Sequence, residues 1–284
     1  MLVGVALLLS ACSGSAGRAA PTTATTSTTT TTAPPPTTTT TAGPPASRLQ
    51  AVVDDSAARA AAPYSIVVVD LATGTRAEHL ADRQVLSASL YKLFVARELV
   101  RRVQAGALSS DASAQDGTGR TVGQCITDMI VVSDDQCGVA GLRIVGYGAL
   151  DAGLARDGYV HTRLASPQRT SASDVALFFR RTHATAAADP VSGQLYDLLQ
   201  RQQVNDRFPL GLPPGTPIAH KTGDRIGWAH DAGIITTPRG EVLLAALSGP
   251  YPAPCCKAER PGPAERAAFA ALADVARRVY ALYS

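Results

Sequence analysis

Segments with strand character stand at both ends of the folding part of this 284-residue chain, and a long helical stretch separates them. Tyr64-Ser65-Ile66-Val67-Val68-Val69-Asp70-Leu71 is rich in β-branched residues and bounded by Pro63 and Gly74, which predicts a buried strand followed by a turn. Thr75 to Leu80 is expected to return as a second strand. Strand character reappears at Ile218 to Thr222, Ala232 to Thr237 and Glu241 to Ser248, with Pro238-Arg239-Gly240 as the turn between the last two. Between these groups, residues 121–205 read as several helices broken by Gly, Asp and Pro. Strands from both ends must therefore meet in one sheet, with the helical block inserted between them. Amphipathic helices are expected over Ser47 to Ala62, with Leu49, Val52 and Val53 on one side, and over Ala264 to Leu282. A further helix runs from Ser89 to Ala105, where Leu93, Ala96, Val100 and Val103 recur at three and four residues and Gly106 closes it.

The beginning of the chain has another character. Thr22 to Thr41 carries no charge and no large apolar side chain, so it cannot bury enough surface to offset its conformational entropy. Leu2 to Leu9 is an apolar run too short to span a bilayer as a helix. It ends in Leu9-Ser10-Ala11-Cys12, which resembles a bacterial lipoprotein signal and implies lipidation of Cys12. The expected organisation is a signal peptide over 1–11, a lipidated Cys12 with a disordered Thr/Pro-rich linker over 12–46, and one folded unit of two lobes over 47–284. An α/β lobe takes 47–80 and 216–284, and a helical lobe takes about 81–215. The chain is expected to be exported and held to the outer face of the bacterial cytoplasmic membrane by its lipid alone, as a monomer. The net charge of +3 is spread without a basic block, which excludes a nucleic-acid footprint. The five His are scattered and no His or Cys spacing suggests zinc, so neither metal nor cofactor is expected.

Three short motifs carry chemistry, in the order Ser89-Leu90-Tyr91-Lys92, Ser133-Asp134-Asp135 and Lys221-Thr222-Gly223. Residues three apart at a helix start share one face about one turn apart, which brings Lys92 within reach of the Ser89 hydroxyl. A Ser hydroxyl needs a base to become a nucleophile, and a Lys amine serves as one only when desolvation or nearby positive charge lowers its pKa. Backbone N–H groups at the helix start suit an oxyanion. Each motif alone has a plain alternative: a surface helix pair for Ser89 and Lys92, a helix cap for Ser133-Asp134, a solvated strand end for Lys221. The chain has only three Lys, at 92, 221 and 257, and two of them fall in these motifs, which argues against coincidence.

The set S-x-x-K, S-D-N, K-T-G is that of class A β-lactamases and penicillin-binding proteins. The stretches Ser87 to Ala96, Thr170-Ser171-Ala172-Ser173-Asp174 and His230-Asp231-Ala232-Gly233-Ile234-Ile235 also resemble class A β-lactamase-related serine hydrolases, and the similarity covers nearly all of 47–284. The resemblance implies a five-stranded antiparallel sheet flanked by helices, an inserted all-helical lobe, and an active site in the cleft between the lobes. It implies Ser89 as nucleophile, Lys92 as base and Ser133 as proton shuttle. Asp135, Lys221, Thr222 and Gly223 are then substrate-binding, and the backbone N–H of Asp224 is a second oxyanion donor. The implied substrate is a β-lactam or a small D-Ala-D-Ala-like peptide. Two departures stand out. Asp135 occupies a position where the family usually has Asn, and a carboxylate there favours the charged form of Lys92. Residues 162–170, where class A β-lactamases carry a Glu that activates the deacylating water, contain no Asp or Glu. Three readings follow: a β-lactamase-type hydrolase with slow deacylation, a D,D-peptidase or other acyl-transfer enzyme on peptidoglycan peptides, or a non-catalytic penicillin-binding lipoprotein.

Cys125, Cys137, Cys255 and Cys256 remain once Cys12 is set aside, and an even number in an exported chain favours disulfides. On one continuous helix Cys125 and Cys137 would stand ~18 Å apart, so pairing them requires a turn between, for which Ser133-Asp134-Asp135 is suited. The alternative is two unpaired buried thiols on separate helices. The pairing of Cys255 and Cys256 stays open.

Overall fold

The computed structural model describes residues 43–251 and 263–284. The signal, Cys12, most of the linker and the Cys255-Cys256 pair lie outside the described residues. The first described helix is α1 (Ala46–Ala58), followed by β1 (Tyr64–Asp70) and β2 (Arg76–His79). Three strands near the other end, β5 (Ile218–Arg225), β6 (Trp228–Thr237) and β7 (Gly240–Ser248), complete one sheet of order β2-β1-β7-β6-β5, antiparallel throughout. The strands from the two ends of the sequence meet at β1 and β7, where Tyr64 pairs with Ser248 and Asp70 with Val242.

Every residue of β1 is buried, because both faces of the sheet are covered. Tyr64, Ile66 and Val68 point into a layer shared with Leu49 and Val53 of α1 and with Leu272, Val275 and Val279 of α8 (Pro263–Tyr280). Val67 and Val69 point the opposite way, into a larger core with the helical block. β7 repeats the alternation: Val242, Leu244 and Ala246 face α1 and α8, while Leu243, Ala245 and Leu247 face the block. That two-sided burial is why these strands read as continuous apolar runs rather than alternating ones.

The helical block comprises α2 (Tyr91–Gln104), α3 (Val122–Val131), α4 (Asp135–Val145), α5 (Tyr147–Arg156), α6 (Ala172–Thr185) and α7 (Pro190–Gln200). Its caps follow the sequence chemistry. Thr121 and Gln124 form a capping box on α3, and Asp134, Ser171 and Asp189 accept backbone N–H groups at the starts of α4, α6 and α7. α2 is central and buries Leu93, Phe94, Val95, Ala96, Leu99 and Val100.

Three local features depart from the sequence reading. The expected helix at Ser89 begins as a 3-10 turn, Ala88–Leu90, before α2. β5 and β6 extend past Thr222 and before Ala232 to a tight turn at Ile226-Gly227, so the Lys221 motif lies inside a hairpin. β3 (Val85–Leu86) and β4 (Arg169–Thr170) form a two-stranded ribbon too short to show any periodicity. A 3-10 turn at Phe208–Gly211 buries Phe208 in the layer with α8.

Candidate active site

The site is assembled where the first turn of α2, the corner between α3 and α4, and strand β5 converge. Ala88, just before Ser89, has φ +46°, a left-handed conformation that non-glycine residues rarely adopt. The strained turn is pinned on both sides. Ser87 N donates to Gln168 O at 3.1 Å, and His230 Nε2 donates to Leu86 O at 2.8 Å. The other ring nitrogen of His230 accepts from Ser248 N at 3.2 Å, so the imidazole is the neutral Nε2–H tautomer. Burial favours that neutral form and holds the His230 pKa down to about 4.

Lys92 is fully buried one turn into the helix. Its Nζ donates to Ser89 Oγ at 3.1 Å, Ser133 O at 2.6 Å, Ser133 Oγ at 3.4 Å and Asp135 Oδ1 at 2.7 Å. Desolvation lowers the Lys92 pKa, and the Asp135 carboxylate opposes that shift through its hydrogen bond and charge. The effect of an acid at 135 expected from the sequence is therefore present. Gly138 of α4 faces this pair of residues: a Cβ there would collide with Tyr91 Oη and lie 2.8 Å from Lys92 Cε. Glycine at 138 thus leaves Tyr91 and Lys92 in place where α4 crosses α2.

Ser133 sits in the corner before α4 with φ +61°. The corner is clamped. Asp134 caps α4 by accepting Cys137 N at 2.8 Å, and Arg120 donates to Asp134 at 3.0 Å while also holding Asp116 and Asp128. Cys125 and Cys137 form a disulfide with Cα atoms 4.8 Å apart, joining α3 to α4 on either side of the corner. The turn required for that pairing is the Ser133 corner itself. A crosslink over 12 residues of separation chiefly restricts the unfolded chain. The Cys125→Ala/Cys137→Ala double variant is expected to lose about 3 kcal/mol in urea denaturation. A midpoint unchanged from that of the oxidised parent would show that the crosslink adds nothing.

Lys221 is fully buried rather than solvated, and its Nζ donates to Ser133 Oγ at 2.8 Å and to Thr222 O at 2.9 Å. Burial, with the Lys92 and Arg207 charges added, holds its pKa well below the ordinary lysine value. Two lysines thus flank one hydroxyl. If Lys92 is neutral, Ser133 can accept from Lys221 and donate to Lys92, which is a proton path from one motif to the next. Gly223 has a steric role as well. A Cβ there would lie 3.1 Å from Leu90 Cγ, so glycine lets β5 pack against the turn that carries Ser89.

A cavity of about 510 Å³ opens over these groups, lined among others by Ser89, Tyr91, Asp135, Tyr147, Ser166, Gln168 and Asp224. The sequence-predicted residues Ser89, Lys92, Ser133, Asp135, Lys221 and Asp224 are all brought to this place, with Thr222 and Gly223 buried on the adjoining strand. Asp135 and Asp224 are the carboxylates on its wall. Residues 162–170 reach it through Ser166, Pro167 and Gln168, and the nearby Asp151 is occupied in binding Leu164 N at 2.6 Å and Ala165 N at 3.1 Å.

Sequence reasoning gave no role to Arg207, Tyr91 or Tyr147, nor to His230 as a brace. Arg207 Nη2 donates to Asp224 Oδ1 at 2.7 Å, yet Arg207 stands alone in a loop with no repeating pattern to mark it. Tyr91 is one more apolar position of a helix until α4 is seen opposite it.

A family model described as the beta-lactamase enzyme family matches residues 44–283. Solved class A β-lactamases share the fold. An ancestral class A enzyme superposes with a TM-score of 0.69 at 23% identity, covering 81% of this chain and 98% of that one. A β-lactamase from Xanthomonas campestris gives 0.71 at 20% identity, covering 84% and 98%. The class A enzyme of the last common ancestor of Gram-negative bacteria gives 0.68 at 24%, covering 83% and 99%. No curated protein matches the chain. With the fold and the family model in agreement, the chain belongs to the beta-lactamase enzyme family of serine hydrolases.

Proposed function

We propose that this protein opens β-lactam amides through an acyl-enzyme on Ser89 and releases the acyl group slowly. The observation that carries the reading is the position of Lys92 Nζ, 3.1 Å from Ser89 Oγ and 3.4 Å from Ser133 Oγ, with Lys221 2.8 Å from the same Ser133 hydroxyl. In the proposed sequence a neutral Lys92 takes the Ser89 proton as Oγ attacks the carbonyl carbon. Backbone N–H groups around the Ala88–Leu90 turn and at Asp224 receive the oxyanion. As the C–N bond breaks, the Ser133 proton passes to the leaving nitrogen, and Lys92 returns its own proton to Ser133. Lys221 and Thr222 hold the substrate carboxylate. Asp135 restrains the first step, because it stabilises charged Lys92.

Deacylation needs a base for water. Residues 162–170 contain no carboxylate, and the residues they bring to the cavity wall are Ser166, Pro167 and Gln168. Stopped-flow assay with a chromogenic cephalosporin is expected to give a burst of about one equivalent followed by a much slower steady rate. Ser166→Glu is expected to raise the steady rate by about tenfold or more, towards the range that general bases supply. A steady rate in the wild type as fast as the burst would show that another group, with Asp135 the nearest, activates the water.

The same lack of a carboxylate in 162–170 favours one second reading, an acyl-transfer enzyme on peptides ending in D-Ala-D-Ala. Release of D-Ala from such a peptide, faster than β-lactam turnover, would select it. Absence of any covalent product with either compound would leave the non-catalytic penicillin-binding lipoprotein. We further propose that the domain is exported and held at the membrane by lipid on Cys12, a reading supported by Leu9-Ser10-Ala11-Cys12 and the Thr/Pro-rich segment after it.

A further inference from the structure

The cavity over Ser89 has walls that the acylation chemistry does not use. Asp135, Val139 and Leu142 follow at steps of four and three residues, so they share one face of α4, and all three line the cavity. The adjoining face, at Gly138 and Gly141, is turned to α2, because a Cβ at either position would press on side chains of that helix. Gly146, with φ +82°, ends α4, and Tyr147 opens α5 directly after it. Val139 and Tyr147 are 40% and 41% exposed and both line the cavity. Tyr147 stands near Tyr91: burial, with the Asp135 and Tyr147 oxygens adding to it, pushes the Tyr91 phenol above its ordinary pKa. A further wall is Ser166-Pro167-Gln168. That loop is fixed. Arg163 and Arg169 exchange backbone hydrogen bonds at 2.9 and 2.7 Å, Asp151 of α5 holds Leu164 N and Ala165 N, and Gln168 O receives Ser87 N. The charged residues lining the cavity are Asp135, Asp224 and the exposed Arg225, which are of both signs.

We propose that Val139 and Tyr147 are specificity-determining residues that, with Tyr91, Leu142 and Pro167, seat an uncharged aromatic group on the acyl side of the substrate. The inference rests on the Ser89 acyl-enzyme reading and names the class of acyl donor for it. The direction follows from the chemistry. The substrate carboxylate and the leaving nitrogen are assigned to Lys221, Thr222 and Ser133. The remaining substituent, on the carbonyl side that stays bonded to Ser89, extends away from those groups. The face of α4, the start of α5 and the 166–168 loop are the elements left to receive it. Apolar surface that stands half in water on these walls is covered when a ring packs there. Tyr147 and Tyr91 offer aromatic faces and edges for that ring. Because the loop and the helix starts are already held in place, little ordering is needed on binding, and the gain appears as selectivity.

The test compares 6-acetamidopenicillanic acid with benzylpenicillin, which carry the same charge and differ by one phenyl group on the acyl side chain. Second-order acylation rates are measured by intact-mass spectrometry on wild type, Tyr147→Ala, Tyr147→Phe and Val139→Ser, after the melting transition of each has been recorded. Both positions are part-exposed, so truncation there removes little core packing. Wild type is expected to prefer benzylpenicillin by about 30-fold, within the range by which a hydrophobic pocket rewards added apolar carbon. Tyr147→Ala should cut that preference about tenfold and Val139→Ser about fourfold, in line with the apolar surface each removes. Tyr147→Phe should keep it, since the ring and not the hydroxyl does the packing. A wild-type preference within threefold overturns the proposal. So does a preference that Tyr147→Ala and Val139→Ser both leave within twofold of the wild-type value. Loss of the preference in Tyr147→Phe overturns apolar packing as its cause. Each of these results leaves acylation at Ser89 standing. If neither penicillin forms an adduct on wild type, the acyl-enzyme reading falls and the aromatic seat falls with it.

Discussion

Lys92→Met is expected to slow acylation by a penicillin about 1000-fold, within the range that loss of a positioned general base produces. The side chain is buried and holds four hydrogen bonds, one of them to Ser89 Oγ at 3.1 Å. Met matches its length and apolar stem, so most of the packing survives. Among the described residues no other basic side chain lies within hydrogen-bond distance of Ser89 Oγ, and the second lysine of the site, Lys221, is bonded to Ser133 and Thr222 instead. Part of the loss is structural, because Ser133 O surrenders a 2.6 Å partner in a corner already at positive φ. The pH profile separates the two contributions. The Asp135 carboxylate raises the Lys92 pKa against the lowering effect of burial. Removing it in Asp135→Asn therefore makes neutral Lys92 available at lower pH, and the rising limb of the acylation rate should move to lower pH. A purely structural Lys92 would leave that limb in place. Acylation of Lys92→Met within tenfold of wild type, with an unmoved limb in Asp135→Asn, would remove Lys92 as the base.

The chemistry of this site was legible in the sequence wherever it depended on local spacing. Ser89 and Lys92 are three residues apart on a helix start, and the structure puts their terminal atoms 3.1 Å apart. The burial of both faces of β1 and β7 follows from unbroken apolar runs, and from it the meeting of the chain ends in one sheet. The caps at Thr121, Asp134, Ser171 and Asp189 are equally local. Relations set by three-dimensional packing left no such trace. Arg207 and Asp224 are 17 residues apart and meet only in the folded chain, where Phe208 N donates to Asp231 of β6 beside β5. His230 and Leu86 are 144 residues apart, and nothing around His230 indicates that it braces the nucleophile turn. The strand signal in β5 fades after Gly223 because Asp224 and Arg225 are poor strand formers, yet pairing with Ala229 and Trp228 carries the ladder to the turn. Tertiary hydrogen bonding overrides propensity there. Gly223 meets Leu90, far away in the sequence, so its need for glycine is likewise set by packing. The Lys221 side chain, whose plain alternative is a solvated strand end, is buried, and Ser133 Oγ and Thr222 O accept its N–H groups.

The central claim is that Ser89 carries the acyl group. Ser89→Ala removes a single oxygen from a half-buried position in the Ala88–Leu90 turn, so the fold and its melting transition should change little. Wild type and variant are incubated with benzylpenicillin, and each intact mass is read before and after digestion. One added penicilloyl group is expected on wild type, mapped to the peptide containing Ser89, and no added mass on Ser89→Ala. An adduct of equal yield on the folded Ser89→Ala variant, or one mapped to any other residue of the wild type, would contradict it.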